Sequence, residues 1–98
     1  MAAVVEIEDI EEMRRLQGID DVELRMDIRL LKPGDFVRIT VYSGSGFHVP
    51  ALVRITSIRG SAFRGKLVAK ASKLRAGDVV LFTSAHIHSV RKRDDAHG

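Results

Sequence analysis

The chain changes its apolar period once. Over the first third, Val5, Ile7, Ile10, Met13 and Leu16 recur at roughly three-residue steps, the spacing of one face of a helix. The segment "VEIEDIEEMRRLQG" therefore predicts a helix over 5–18, with Glu11 and Arg15 as an i, i+4 pair and Gly18 as its stop. Acids crowd its first turns and arginines its last, as the helix dipole prefers. A second helix follows. Asp20 precedes Glu23 by three, the order of a capping box, and Val22, Leu24, Ile28 and Leu31 supply its apolar positions. It ends by Leu31, because Pro33 disfavours the helical conformation at Lys32.

Beyond Pro33 the period is two. "FVRITVY" puts Val37, Ile39 and Val41 on one face and Arg38, Thr40 and Tyr42 on the other. "SGSG", Ser43 to Gly46, reads as a loop, "ALVRITSI" as a second strand, "RGSA" as a turn at Gly60 and "FRGKLVA" as a third strand. "KASKLRAGD" links to a fourth strand, "VVLFT"; "HSVRK" is a short fifth, and "RDDAHG" a frayed tail. The organisation is an acidic helical segment over 1–30, a β unit over 31–93 and a tail over 94–98.

Two turns echo each other. "LKPGDFV" from Leu31 and "LRAGDVV" from Leu74 share Leu, Gly, Asp and Val, with a basic residue after each Leu. Glycine permits the turn, aspartate bonds a nearby backbone amide, and the next residue opens a strand. This turn chemistry explains the echo without a duplicated fold.

At 98 residues the chain is one domain, able to hide roughly 60 to 70% of its unfolded surface in a single modest core. With 45% apolar and 30% charged residues it is too apolar for wholesale disorder. The absence of cysteine excludes disulfides, thiolate nucleophiles and cysteine-based zinc sites, and suits a reducing compartment. The N-terminus lacks the basic leader and apolar core of a signal peptide, and the longest uncharged run, "VYSGSGFHVPALV", is broken by glycine and proline. The expected location is the cytoplasm. The net charge of +3 conceals a division: residues 1–30 hold nine acids against four arginines, and the remainder four acids against twelve Lys and Arg. Either the basic part meets an anionic partner, or the two parts neutralise each other.

A glycine-aspartate turn opening the first strand, "VRITSIRGSAFRGKL" as a hairpin, a second such turn and then "FTSAHIHSV" together resemble the small bacterial SH3-like barrels of several uncharacterised domain families. The resemblance covers residues 31–91. It implies an α+β fold: an N-terminal helical pair, then a five-stranded antiparallel SH3-like barrel with a 3-10 turn before the last strand. It implies no activity. The expected core comprises Val37, Ile39, Val41, Val53, Ile55, Leu67, Val79, Leu81 and Ile87. In such a turn side chains rotate by about 120° per residue, so His86 and His88 flank the inward anchors Ile87 and Val90, with Ser84 as the turn's cap.

Candidate chemistry is sparse. His86 and His88 are weak metal candidates, since zinc needs further ligands and His48, Asp78 and His97 lie in other segments. No metal site is expected from them, no motif calls for a cofactor, and no nucleophile, general base or carboxylate pair converges, so a non-catalytic role is expected. The loop "YSGSGFHVP" lacks the lysine and helix of a phosphate-binding loop, yet its Phe47 and His48 form a candidate contact site. Arg38, Arg54, Arg64 and Lys66 alternate with apolar residues on three neighbouring strands and predict one basic face. Arg59, Lys70, Lys73, Arg75 and the run Arg91 to Arg93 add charge nearby, and Phe36 and Tyr42 alternate onto the same side.

Four occupants of that face are consistent with the pattern: solvent, the chain's own acids Glu6, Glu8, Asp9, Glu11 and Glu12 (or those of a second copy), a nucleic acid, or another acidic protein. The leading expectation is a binding or adaptor module that engages a protein partner or its own kind through the helical segment. The competing expectation is a nucleic-acid-binding barrel that uses the arginine face.

Overall fold

The computed structural model describes residues 7–18, 21–42 and 48–91. Several expected features lie outside those residues: the helical start at Val5 and Glu6, the cap at Asp20, the loop through Phe47, Lys92 and Arg93, and the tail with His97. The described elements are helices α1 (Ile10–Leu16) and α2 (Val22–Arg29), and strands β1 (Phe36–Tyr42), β2 (His48–Arg59), β3 (Ala62–Leu67), β4 (Val79–Thr83) and β5 (Ser89–Arg91). A 3-10 turn, Ser84–His86, stands between β4 and β5, where the resemblance implied one. The fold is α+β.

The strands form one antiparallel sheet in the order β4-β3-β2-β1-β5, with β4 and β5 at open edges. The long β2 serves both halves, pairing with β1 through His48–Arg54 and with β3 through Val53–Arg59. A register shift between Ile55 and Ser57 separates the two pairings, and such a bulge bends and twists a strand. Among the described residues no helix is long and apolar enough to cross a membrane.

The two glycine-aspartate turns are chemically the same object. The Lys32 N–H donates to Asp35 Oδ2 at 3.1 Å and the Arg75 N–H to Asp78 Oδ2 at 2.8 Å. Gly34 and Gly77 both have φ near +90° (99° and 90°), a conformation costly for residues with a Cβ. Each turn clamps one strand residue from both sides. Gly34 N–H donates to Ile55 O and Ile55 N–H to Asp35 O; Gly77 N–H donates to Leu67 O and Leu67 N–H to Asp78 O. Leu31 and Leu74 pack into the core beside them.

α1 begins later than its apolar spacing predicts. β5 pairs with β1 only over Phe36–Arg38, which leaves backbone groups of Thr40 and Val41 on that edge unpaired. Those groups recruit the chain before the helix: Glu8 N–H donates to Thr40 O at 2.9 Å and Ile7 bridges Val41. Ile7 is therefore extended, and Asp9 caps α1 by accepting from Glu12 N at 2.9 Å. Within α1, Arg15 pairs with Glu12 at 3.0 Å rather than with Glu11. α2 is capped by Asp21, not Asp20: its side chain accepts from Leu24 N at 2.9 Å, and the helix ends at Arg29 with Leu30 as C-cap.

The core holds Val37, Ile39, Val41, Val53, Ile55, Leu67 and Ile87 as expected, but β4 contributes Val80 and Phe82 instead of Val79 and Leu81. "VVLFT" is apolar at four consecutive positions, so alternation cannot choose its inner face. Pairing chooses it, because Val80 stands opposite Gly65 and Phe82 opposite Phe63, with the two rings stacked 5.4 Å apart. Ile10 is 1% exposed and is the one buried residue of α1, while Leu24, Ile28 and Leu31 lean on the core from α2 and its exit.

Candidate functional site

Register assembles the basic face. Arg91 of β5 stands opposite Phe36 of β1, Phe36 opposite Arg54 of β2, Arg54 opposite Lys66 of β3, and Lys66 opposite Val79 of β4. Their inward neighbours Val37, Val53, Leu67 and Val80 are buried, so this row lies on the outer face of all five strands. At about 4.8 Å per strand it spans roughly 19 Å. Arg38 lies two residues beyond Phe36, facing Leu52 and Ser89; Arg64 lies two residues before Lys66, facing Ser57 and Leu81. The structure thus brings Arg38, Arg54, Arg64 and Lys66 onto one face, and all four are exposed.

The electrostatics of this face are one-sided. Between Phe36 and Arg91 the only acidic residue is Asp78, held in its turn, against Arg38, Arg54, Arg59, Arg64, Lys66, Lys70, Lys73, Arg75 and Arg91. Arg14 pairs with Asp21 and Arg15 with Glu12, Glu8 lies 3.5 Å from His48 Nδ1, and no acid among the described residues pairs with the four cations of the face. Arg54 and Lys66 are directly opposite, an arrangement in which like charges destabilise a sheet. The Arg91 guanidinium lies 5.6 Å from the centroid of the half-buried Phe36 ring, within the range of a cation–π contact.

The acidic helices sit elsewhere. α1 packs on the 3-10 turn and α2 on β5, and the Arg14 guanidinium reaches His88 O at 3.4 Å. Of the acids expected to dock on the arginines, Glu8 faces His48 Nδ1 at 3.5 Å, Asp9 caps α1, Glu12 holds Arg15, Glu11 is exposed and Glu6 lies outside the described residues. None of these acids that lies among the described residues covers the face.

Two grooves open on the same side of the sheet. One, of about 420 Å³, is bordered by Phe36, Arg54, Thr56, Lys66 and Val68. The other, of about 590 Å³, lies towards the β2–β3 turn and is lined by Ser57, Arg59, Arg64, Leu81, Thr83 and His86 with the edges of Phe63 and Phe82.

The histidines separate from one another. The turn is capped by Thr83 rather than by the expected Ser84; His86 is half-buried, and its Nδ1 accepts the Thr83 N–H at 3.0 Å, the reciprocal bond of a capping box. That bond puts the proton of the neutral ring on Nε2. His88 is exposed, and its backbone N–H donates to Arg38 O at 2.8 Å. Among the described residues no three His, Asp or Glu side chains converge as a metal site. His48 opens β2 rather than sitting at a loop tip, edge-on to Tyr42 at 4.5 Å, while Phe47 lies outside the described residues.

Arg59 was expected only as added charge near the face and His86 only as a weak metal candidate; the structure places both on the border of the larger groove. That placing depends on the β2–β3 and β3–β4 registers, in which Arg59 faces Ala62 and Ala62 faces Thr83. Spacing between hairpins carries no such signal. Among known proteins, no family model, no curated protein and no solved structure matches the chain.

Proposed function

We propose that this chain is a non-catalytic binding module, built as a small SH3-like barrel, whose basic sheet face takes up a nucleic acid. The strand order, the bulged β2 shared between two pairings and the 3-10 turn before β5 support the barrel reading. The observation that carries the function is the cross-strand pair Arg54–Lys66, flanked by Arg38, Arg64 and the Phe36–Arg91 contact, with no acidic partner among the described residues. Like charges set opposite each other weaken a free sheet and favour a bound polyanion. Phosphates supply the charge, and Phe36, between Arg91 and Arg54 in the row, supplies an aromatic surface.

Fluorescence anisotropy with labelled single- and double-stranded oligonucleotides tests this. Binding is expected at low salt, with log K falling linearly in log salt at a slope of roughly −3 for four phosphate contacts. A flat titration at low salt overturns the proposal.

A second reading, association with a protein partner or another copy through the helices, is favoured by Leu16 and Leu30, 78% and 74% exposed, with Val22 and Met26 also exposed. On this reading, light scattering gives a mass above one chain at high protein concentration, and L16D/L30D returns it to the monomer. A monomeric mass throughout, together with no apolar partner captured, counts against it.

A further inference from the structure

We propose that the groove at the β2–β3–β4 end is a nucleotide subsite, in which one phosphate and its base are seated at the edge of a single strand lying across the basic face. The proposal rests on the nucleic-acid reading above and names what part of the polymer this groove takes.

The chemistry of the lining points to an anion. Arg59 and Arg64 bring two guanidinium groups, Ser57 and Thr83 bring hydroxyls, and no acid borders the groove. His86 joins them as a donor: with Nδ1 accepting the Thr83 N–H at 3.0 Å, the neutral ring carries its proton on Nε2. Thr83 Oγ1 also lies 3.4 Å from Nδ1, which further holds the ring in place. A pocket bordered by donors on several sides, two of them planar forks, suits the several acceptor oxygens of a phosphate.

The size and the apolar wall point beyond phosphate alone. A groove of about 590 Å³ falls within the range of roughly 300–1,000 Å³ typical of small-molecule sites. Leu81 is 52% exposed, though it sits on a strand between two buried residues, and it borders the groove beside the edges of the stacked Phe63 and Phe82. An apolar wall next to phosphate donors fits a base turned away from pairing. A duplex keeps its bases stacked inside and offers phosphates alone, so the groove favours a single strand.

The position of the groove fits a strand path. Arg64 borders it and also stands two residues from Lys66, which borders the second groove with Phe36 and Arg54. Arg64 and Lys66, two residues apart on β3, thus each border one of the two grooves.

The experiment uses the full chain in ¹H–¹⁵N NMR titrations with inorganic phosphate, a nucleoside, a nucleoside monophosphate and a short single-stranded oligonucleotide, repeated for R59A, L81D and R38A. The monophosphate is expected to shift the amides of Thr83 and His86, and to bind at least tenfold more tightly than phosphate or the nucleoside. R59A and L81D weaken it at least tenfold, while R38A leaves it unchanged and weakens only the oligonucleotide. The oligonucleotide binds more tightly than the monophosphate. Equal affinity for both would make the ligand a free nucleotide and overturn the strand assignment. Equal shifts with phosphate alone would overturn the nucleotide assignment. Oligonucleotide binding that depends on Arg38 but not on Arg59 or Leu81 would overturn the subsite and leave the basic face standing; failure of every ligand to bind would overturn both.

Discussion

Replacing Gly65 by alanine is expected to lower the free energy of unfolding by about 3 kcal/mol, the upper end of what overpacking a core costs. Gly65 is buried in β3, between Ile55 of β2 and Val80 of β4. A Cβ there would clash with Val53 Cγ1 and lie 2.8 Å from the Arg54 carbonyl oxygen. A valine methyl can rotate away, but a carbonyl fixed in the sheet cannot, so β2 must move away from β3. The movement would fall beside the bulge at Ile55 and Ser57, where β2 changes partners. Small domains are stable by only about 5–15 kcal/mol, so the loss is a large share of the total. Urea unfolding reads it directly. Combining Gly65→Ala with Val53→Ala removes one of the two clashes and is expected to cost less than the sum of the single changes. A Gly65→Ala protein as stable as the parent would show that the sheet has slack at this point.

The second large effect separates stability from binding. Changing Arg54 and Lys66 together to glutamine is expected to raise stability slightly, by a few tenths of a kcal/mol, because the like-charge pair disappears from the sheet. The same change is expected to weaken oligonucleotide binding about 100-fold at low salt. It also flattens the slope of log K against log salt by roughly 1.5, the contribution of two phosphate contacts. Paired urea and anisotropy measurements on the one variant check both signs. Loss of affinity together with loss of stability would mean that the two side chains hold the sheet together, and that the binding defect is indirect.

Opposite signs are informative because Arg54 and Lys66 lie at exposed positions of the outer row, where their neighbours are Phe36 and Val79. The buried residues beneath them, Val53 and Leu67, already carry the packing. Nothing in the fold needs cations at these two positions.

Much of the candidate face was legible in advance because a strand's side chains alternate strictly. Once "FVRITVY" and "FRGKL" were read as strands, Arg38, Arg64 and Lys66 had to point away from Val37, Phe63 and Leu67. What alternation could not supply was the partner across the strand. The row Arg91–Phe36–Arg54–Lys66, and the placing of Arg59 and His86 on the border of one groove, follow from hydrogen-bonded register. The same limit explains β4, whose unbroken apolar run left two inner faces open until Phe82 met Phe63.

By itself the sequence determined the two helices and the five strands, because periodicity and turn residues act over a few neighbours; the 3-10 turn was expected only from the resemblance to SH3-like barrels. It also determined the paired glycine-aspartate turns, where Asp35 and Asp78 each take up an amide three residues back. Only the tertiary structure decided that Ile7 leaves the helix for the edge of β1, since the unpaired groups of Thr40 and Val41 that draw it there are more than thirty residues away. Only the tertiary structure sent the acidic helices to the 3-10 turn and β5, because Ile10, Leu24 and Ile28 follow the apolar core rather than the positive charge. Burying those side chains outweighs the weak, solvent-screened attraction of surface charges, and that is why the described acids of the helices stay away from the arginine face.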